Sequence, residues 1–307
     1  MTAISIFENL QPVFPFEIME KILIDVDDIP WTLWECALVN STFRKIAQKR
    51  LFSTIELIHY DQHGGPHPPQ NQIKFLDVLN STPHLALHVH TLKIRYDQTG
   101  NLEWEVVFNE VNEPSDNAIS LILPLLVNVR NFGLIADPFH VWGTLCPTVR
   151  SALISAFHSS SITHLEFNNL DELPLFTIMA GCKSLESLSL TGTFGGDAAW
   201  GEVTPISLEP VHQRRPCLKS LQMRQIPFLE DFVMRLLDPD TTPVNAWNLQ
   251  TILVQGEPIG DHAGIVQLLD ASHRTLRRLT LLQGDECQWC IHFVNEQMSW
   301  VDPYIRT

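Results

Sequence analysis

One short pattern, apolar-x-x-apolar-x-apolar, recurs seven times between residues 89 and 281, and it limits the fold more than any other feature of the chain. The copies are Val89/Leu92/Ile94, Val129/Phe132/Leu134, Ile162/Leu165/Phe167, Leu185/Leu188/Leu190, Leu218/Leu221/Met223, Leu249/Ile252/Val254 and Leu276/Leu279/Leu281. Their first positions lie 40, 33, 23, 33, 31 and 27 residues apart. The last two apolar positions of each copy skip one residue, as a strand with one buried face does. A single unit of this kind cannot cover its own apolar side. Units that recur every ~20 to 45 residues must stack so that each covers the next.

Helix-like stretches lie between the copies, at residues 73–79, 118–126, 149–157, 173–180, 229–237 and 263–269. In the last, Ile265, Leu268 and Leu269 fall at i, i+3 and i+4; in the one before it, Phe232, Val233, Leu236 and Leu237 form one stripe. Strand and helix therefore alternate, one helix per unit. Residues 192–216 contain Gly195, Gly196, Pro205, Pro210 and Pro216 and no helical pattern, so one unit carries a loop in place of its helix. A doubly wound α/β sheet also alternates strands and helices, but it calls for longer Val/Ile runs and a Gly-rich phosphate turn after the first strand.

These units resemble the leucine-rich-repeat family, most plainly in Leu-Arg-Arg-Leu-Thr-Leu at residues 276–281. The resemblance covers residues 85–285 and implies a solenoid of short parallel strands and helices. The asparagine expected three residues beyond each strand is missing: Asp97, Asp137, Leu170, Thr193, Ile226, Glu257 and Gly284 stand there. Unit length is accordingly irregular.

The first fifty residues follow a different plan. Pro15 and Glu17 suit the first turn of a helix, where a missing N–H is tolerated and negative charge is favoured. Ile18 and Ile22 share one stripe, which Asp25, Asp27 and Asp28 interrupt. Asp28 with Pro30 marks a second helix start. Asn40, Ser41 and Thr42 offer capping oxygens to a third helix that carries Phe43, Ile46, Ala47 and Leu51 on one side and Arg44, Lys45, Lys49 and Arg50 on the other. In order, Phe14-Pro15, Glu17-Ile18, Ile22-Leu23, Leu38-Val39 and Phe43-Arg44 resemble the F-box pattern, with Phe14 where leucine and Phe43 where tryptophan is usual.

The resemblances together imply an α/β chain: a three-helix F-box module at residues 1–57, a linker with the first helix at 58–84, and an irregular leucine-rich-repeat solenoid with a C-terminal cap at 85–307. The F-box resemblance implies docking of Phe14, Pro15, Ile18, Ile22, Leu38, Val39 and Phe43 on a Skp-type adaptor of a cullin-RING ubiquitin ligase. The repeats imply that the residues between the apolar strand positions face a protein substrate: Lys93, Arg95, His164, Glu166, Ser189, Gln222, Arg224, Gln255 and Arg278, with Thr91, Ser187, Ser220, Thr251 and Thr280 beside them. The rival expectations are a repeat scaffold unconnected with a ligase, and an α/β hydrolase-like enzyme.

Composition narrows the partners. Twenty Lys+Arg stand against 35 Asp+Glu, a formal net charge of −15, which disfavours binding to a phosphate backbone or an anionic membrane. The six cysteines are mostly scattered through apolar segments, as reduced thiols are. Residues 118–129 are too short and contain Pro124, so no span of ~20 apolar residues is expected, and the N-terminus lacks a secretory pattern. The expectation is an intracellular protein, cytoplasmic or nuclear.

No phosphate loop, nucleophile elbow, H-E-x-x-H or dinucleotide fingerprint occurs. His59, His63 and His67 fall in a Gly/Pro-rich stretch read as a solvated loop. Cys287 and Cys290 have zinc-like spacing but no second ligand pair nearby, and with Trp289, Phe293 and Trp300 read as an apolar cap. No metal, cofactor or catalytic residue is expected.

Overall fold

The computed structural model describes residues 16–24, 30–60, 70–97, 114–159, 161–192, 215–226, 229–256, 263–283, 287–294 and 297–301. It begins with helices α1 (Phe16–Ile24), α2 (Pro30–Val39) and α3 (Ser41–Leu51). Asn40 caps α3, its Oδ1 accepting the amides of Thr42 and Phe43 at 2.9 Å. Met19 and Leu23, one turn apart on α1, meet Leu33 of α2 and Ile46 of α3 in a small core separate from the main one.

The main body alternates strands and helices: β1 (Thr54–Tyr60), α4 (Gln70–Ser81), β2 (Thr91–Asp97), α5 (Pro114–Ile122), β3 (Asn131–Val141), α6 (Pro147–Phe157), β4 (His164–Asp171), α7 (Leu175–Gly181) and β5 (Ser187–Thr191). It continues through β6 (Ser220–Arg224), α8 (Leu229–Leu237), β7 (Thr251–Gly256), α9 (Ala263–Ser272), β8 (Arg278–Gln283), β9 (Cys287–Val294) and β10 (Gln297–Val301). All ten described strands form one open sheet in chain order. Strands β1 to β8 pair in parallel, and β9 and β10 add an antiparallel hairpin at the end. The order never reverses, whereas a doubly wound sheet reverses at its switch point. Helices α4, α5, α6 and α7 pack in sequence, and α8 packs on α9.

Alternation along each strand explains the layering. In β5, Leu188 and Leu190 are buried while Ser187, Ser189 and Thr191 are half-exposed, and β4, β6 and β7 follow the same rule. Register aligns these positions into two inner rows. One runs Ile55, Leu92, Phe132, Leu165, Leu188, Leu221, Ile252, Leu279; the other runs Leu57, Ile94, Leu134, Phe167, Leu190, Met223, Val254, Leu281. Except for the half-buried Ile55 and Leu281, these residues are buried, and all but Ile55 and Leu281, which pack against it, belong to one core cluster.

The backbone repeats with the side chains. At seven junctions among the described residues, one carbonyl just before a strand accepts two amides entering the next strand. The acceptors are Ser53, His90, Arg130, Thr163, Glu186, Lys219 and Gln250, at 2.7 to 3.0 Å. Both lone pairs of each oxygen are thus used, and every strand starts at the same height as its neighbour. One residue beyond the matched positions Asn168, Thr191 and Arg224, Asn169 within β4 and Gly192 and Gln225 just past β5 and β6 have φ of 53°, 53° and 51°. The chain turns there through the left-handed region. Asn169 also sends Nδ2 to the Ala136 carbonyl at 3.1 Å, and a Cβ on Gly192 would collide with the Asn169 Oδ1.

Two sequence expectations change. The sheet starts at Thr54 rather than beyond 85, so β1 crosses the boundary placed at 57/58 and includes His59 and Tyr60, expected in a loop. Phe52/Ile55/Leu57 is in fact an eighth copy of the apolar pattern; its proximity to α3 makes Phe52 read as the end of a helix. Phe52 packs against the main core, and buried Gln72 of α4 donates Nε2 to the Ile58 carbonyl at 2.6 Å. The loop expected at 192–216 lies, beyond Gly192, largely outside the described residues.

Phe157 of α6 lies edge-on to Phe132 and Phe167, with ring centroids 4.9 and 5.8 Å away, and so joins a helix to two strands. Phe157→Ala is expected to lower unfolding free energy by ~3 to 5 kcal/mol, read from urea denaturation followed by far-UV circular dichroism.

Candidate functional site

The helical module turns apolar surface outward. Met19 and Leu23 point inward, and beside them Ile18 and Ile22 are 41% and 48% exposed. On α2, Leu33 is buried, while Trp31, Trp34 and Leu38 at i, i+3 and i+7 are 73%, 64% and 73% exposed, and Val39 is 67% exposed. Phe43 differs from the expectation for a surface residue: it is half-buried and packs against the module's own core with Cys36 and Leu51. Phe14 and Pro15 lie outside the described residues. Trp31 and Trp34 were not expected as contact residues, although their shared stripe with Leu38, opposite Leu33, was readable.

The second surface is the sheet face opposite the inner rows. Three register rows cross it. The first contains Thr54, Thr91, Asn131, His164, Ser187, Ser220, Thr251 and Arg278; the second Glu56, Lys93, Gly133, Glu166, Ser189, Gln222, Leu253 and Thr280; the third Ile58, Arg95, Ile135, Asn168, Thr191, Arg224, Gln255 and Leu282. All nine predicted substrate-facing residues fall on these rows. Thr280 is the exception among their neighbours, being buried at 7%.

The charges on this face are unevenly engaged. Lys93 Nζ donates to Glu166 Oε2 at 2.9 Å from β2 to β4, across about 10 Å of sheet. The intervening residue is Gly133, where a Cβ would come within 3.3 Å of Lys93 Cγ, so the missing side chain leaves the bridge its path. Arg95 pairs with Glu56 at 3.1 Å. Glu56 was not anticipated, because β1 was not. Among the described residues Arg224 and Arg278, both exposed, have no ion pair or side-chain hydrogen bond. Both bridges on the face are more than a third exposed, so each contributes at most about 1 kcal/mol.

Chemistry elsewhere is sparse. No group of three or more His, Cys, Asp or Glu converges among the described residues, and no described helix is long and apolar enough to cross a membrane. The side chains of Cys287 and Cys290 and of His59, and all of His63 and His67, lie outside the described residues. On the helix side an apolar cleft of about 160 Å³ opens between the end of α5 and α6, lined by Leu126, Val127, Phe132, Ala156 and Ile162 among others. Buried Cys182 donates Sγ–H to the Phe157 carbonyl at 3.1 Å, and burial pushes its thiol up to about 12. At pH 8 roughly one molecule in ten thousand carries that thiolate. Iodoacetamide under native conditions is therefore expected to spare Cys182 and to reach it only after denaturation, as read by peptide mass mapping.

Where the helical module meets the sheet, α3 packs on the short 3-10 helix Pro83–His88. Burial, then His84, His90 and Lys49, hold the His88 imidazole below its ordinary value of 6.5. The unfolded chain then binds more protons just below pH 6.5, so the folded form is fully favoured above that value and loses ground as pH falls through it. Thermal melts from pH 7 to 5 should fall less steeply for His88→Gln than for the parent chain.

No family model matches this chain, and no curated protein matches it at a significant level.

Proposed function

We propose that this chain is a substrate-recognition adaptor of a cullin-RING ubiquitin ligase, with residues 16–51 acting as an F-box that docks on a Skp-type adaptor and the sheet acting as a leucine-rich-repeat solenoid that binds a protein substrate. The observation that carries the reading is the outward apolar stripe of α1 and α2. Two tryptophans, Leu38 and Val39 stand mostly in solvent on a module whose own core is already filled by Met19, Leu23, Leu33 and Ile46. Clusters of large exposed apolar side chains are where soluble proteins bind partners. The ordered motif from Glu17-Ile18 to Phe43-Arg44 lies on the same three helices.

The solenoid half of the reading draws on the chain-order sheet, the seven shared carbonyls and the left-handed residues at matched positions of successive units. Each is a nearest-neighbour feature, which is how repeat proteins are built. The chain itself would catalyse nothing.

A second reading has its own observation. The packing of α3 on Pro83–His88 fits a helical cap on a scaffold unconnected with any ligase. A cap needs α3, but it leaves the exposed side of α1 and α2 without purpose.

The test is co-expression of the intact chain with a Skp-type adaptor. The pair should co-purify, and Leu38→Glu with Val39→Glu should weaken capture at least about tenfold while leaving the melting temperature within about 2 °C, since both residues are exposed. Failure of the parent chain to capture the adaptor, or equal capture by the double variant, removes the ligase reading.

A further inference from the structure

The open face of the sheet is electrically divided. From β1 to β4 each described acid on the three rows is answered by a cation, Glu56 by Arg95 and Glu166 by Lys93. From β5 to β8 the described positions hold hydroxyls, amides, a few apolar residues and two arginines, with no acid among them. The nearby strand-entrance acid Glu186 is already bound by Lys219 at 2.7 Å. In a chain of net charge −15, the unanswered charge among the described residues of this half of the face is positive.

Register also gives the spacing of that charge. Arg224 ends β6 on the third row, and Arg278 opens β8 on the first. They are two strands apart and four residues apart along the strand direction, about 16 Å between Cα atoms. Half-buried Leu253, on β7 in the middle row, sits at the midpoint of that diagonal. An extended chain covers the same distance in about five residues.

Resting on the reading of this face as the partner surface, we infer that β5 to β8 bind an extended acidic segment of the partner. Two carboxylate side chains about five residues apart pair with Arg224 and Arg278, and an apolar residue between them rests on Leu253. Guanidinium groups hold carboxylates through paired N–H donors, and the flanking hydroxyls and amides of Ser189, Ser220 and Gln222 can satisfy the segment's backbone. Among the described residues no acid stands on the rows of this half of the face to repel it, and screening confines the chain's overall negative charge to a range of about 8 Å.

The experiment selects phage-displayed random dodecapeptides on the immobilised full-length chain. Selected peptides should carry Asp or Glu about five residues apart with an apolar residue between. A synthetic peptide of the selected sequence should lose about tenfold in affinity on Arg224→Gln, about tenfold on Arg278→Gln, and more on both, with binding weakened by salt. Lys74→Gln, at an exposed position of α4 away from these rows, is the control and should leave it unchanged; circular dichroism confirms that each variant is folded. Selection of no peptides, of peptides without acids, or of peptides indifferent to both arginines overturns the inference. Binding of a phosphoserine version where the carboxylate version fails overturns the carboxylate assignment. Loss of adaptor capture with acidic-peptide binding intact removes the docking reading alone, and the opposite pattern removes this inference alone.

Discussion

The described sheet from β1 to β8 depends on two rows of apolar side chains that run from each unit to the next. Leu188 and Leu190 stand in register between Leu165 and Phe167 on one side and Leu221 and Met223 on the other, and all six are buried in one cluster. The same constraint forces regular register, since a slip of one residue would turn a row of leucines into solvent and a row of serines into the core. The repeated carbonyl junctions hold that register with backbone atoms alone. Unit length can then vary from 23 to 40 residues without disturbing the sheet, because the variation falls between one strand and the next.

Committing one side of the sheet to burial leaves the other side for polar contact. Its character changes along the chain. The first strands close their charges into the pairs Glu56–Arg95 and Lys93–Glu166, the second reaching across two strand spacings because Gly133 leaves room. The later strands keep Arg224 and Arg278 unpaired among the described residues. The helical module has the opposite surface chemistry, apolar and aromatic, and its small core is separate from the large one. The two surfaces thus differ in chemistry and sit on units with separate cores.

Much of the architecture was legible in residue order. Period-2 alternation located β2 to β8, and helical stripes located α6, α8 and α9 closely, because local burial writes directly into local pattern. What failed did so for a stated reason. Phe52/Ile55/Leu57 carries the same pattern as the other strands but adjoins a helix ending in Leu51, so the first strand was hidden at a boundary between two periodicities. Thr280 was read as exposed from its place between Leu279 and Leu281, yet it is buried near the end of the parallel sheet, where β9 pairs with β8. Asn169 appears one residue before the position at which a repeat asparagine was sought, and its left-handed backbone and its hydrogen bond to Ala136 mark its role.

The residue order by itself determined which side chains are apolar, at what spacing, and hence that short strands and helices alternate and must stack. It also determined that acid exceeds base and that a distinct helical segment precedes the repeats. Tertiary structure decided the rest: that the sheet follows chain order without reversal, that β1 belongs to it, and that Lys93 meets Glu166 while Arg224 and Arg278 meet no charged partner among the described residues. Those are relations between residues tens of positions apart. Local periodicity carries no information about which distant strands become neighbours; only the closing of the hydrogen-bond ladder brings them within reach of one another.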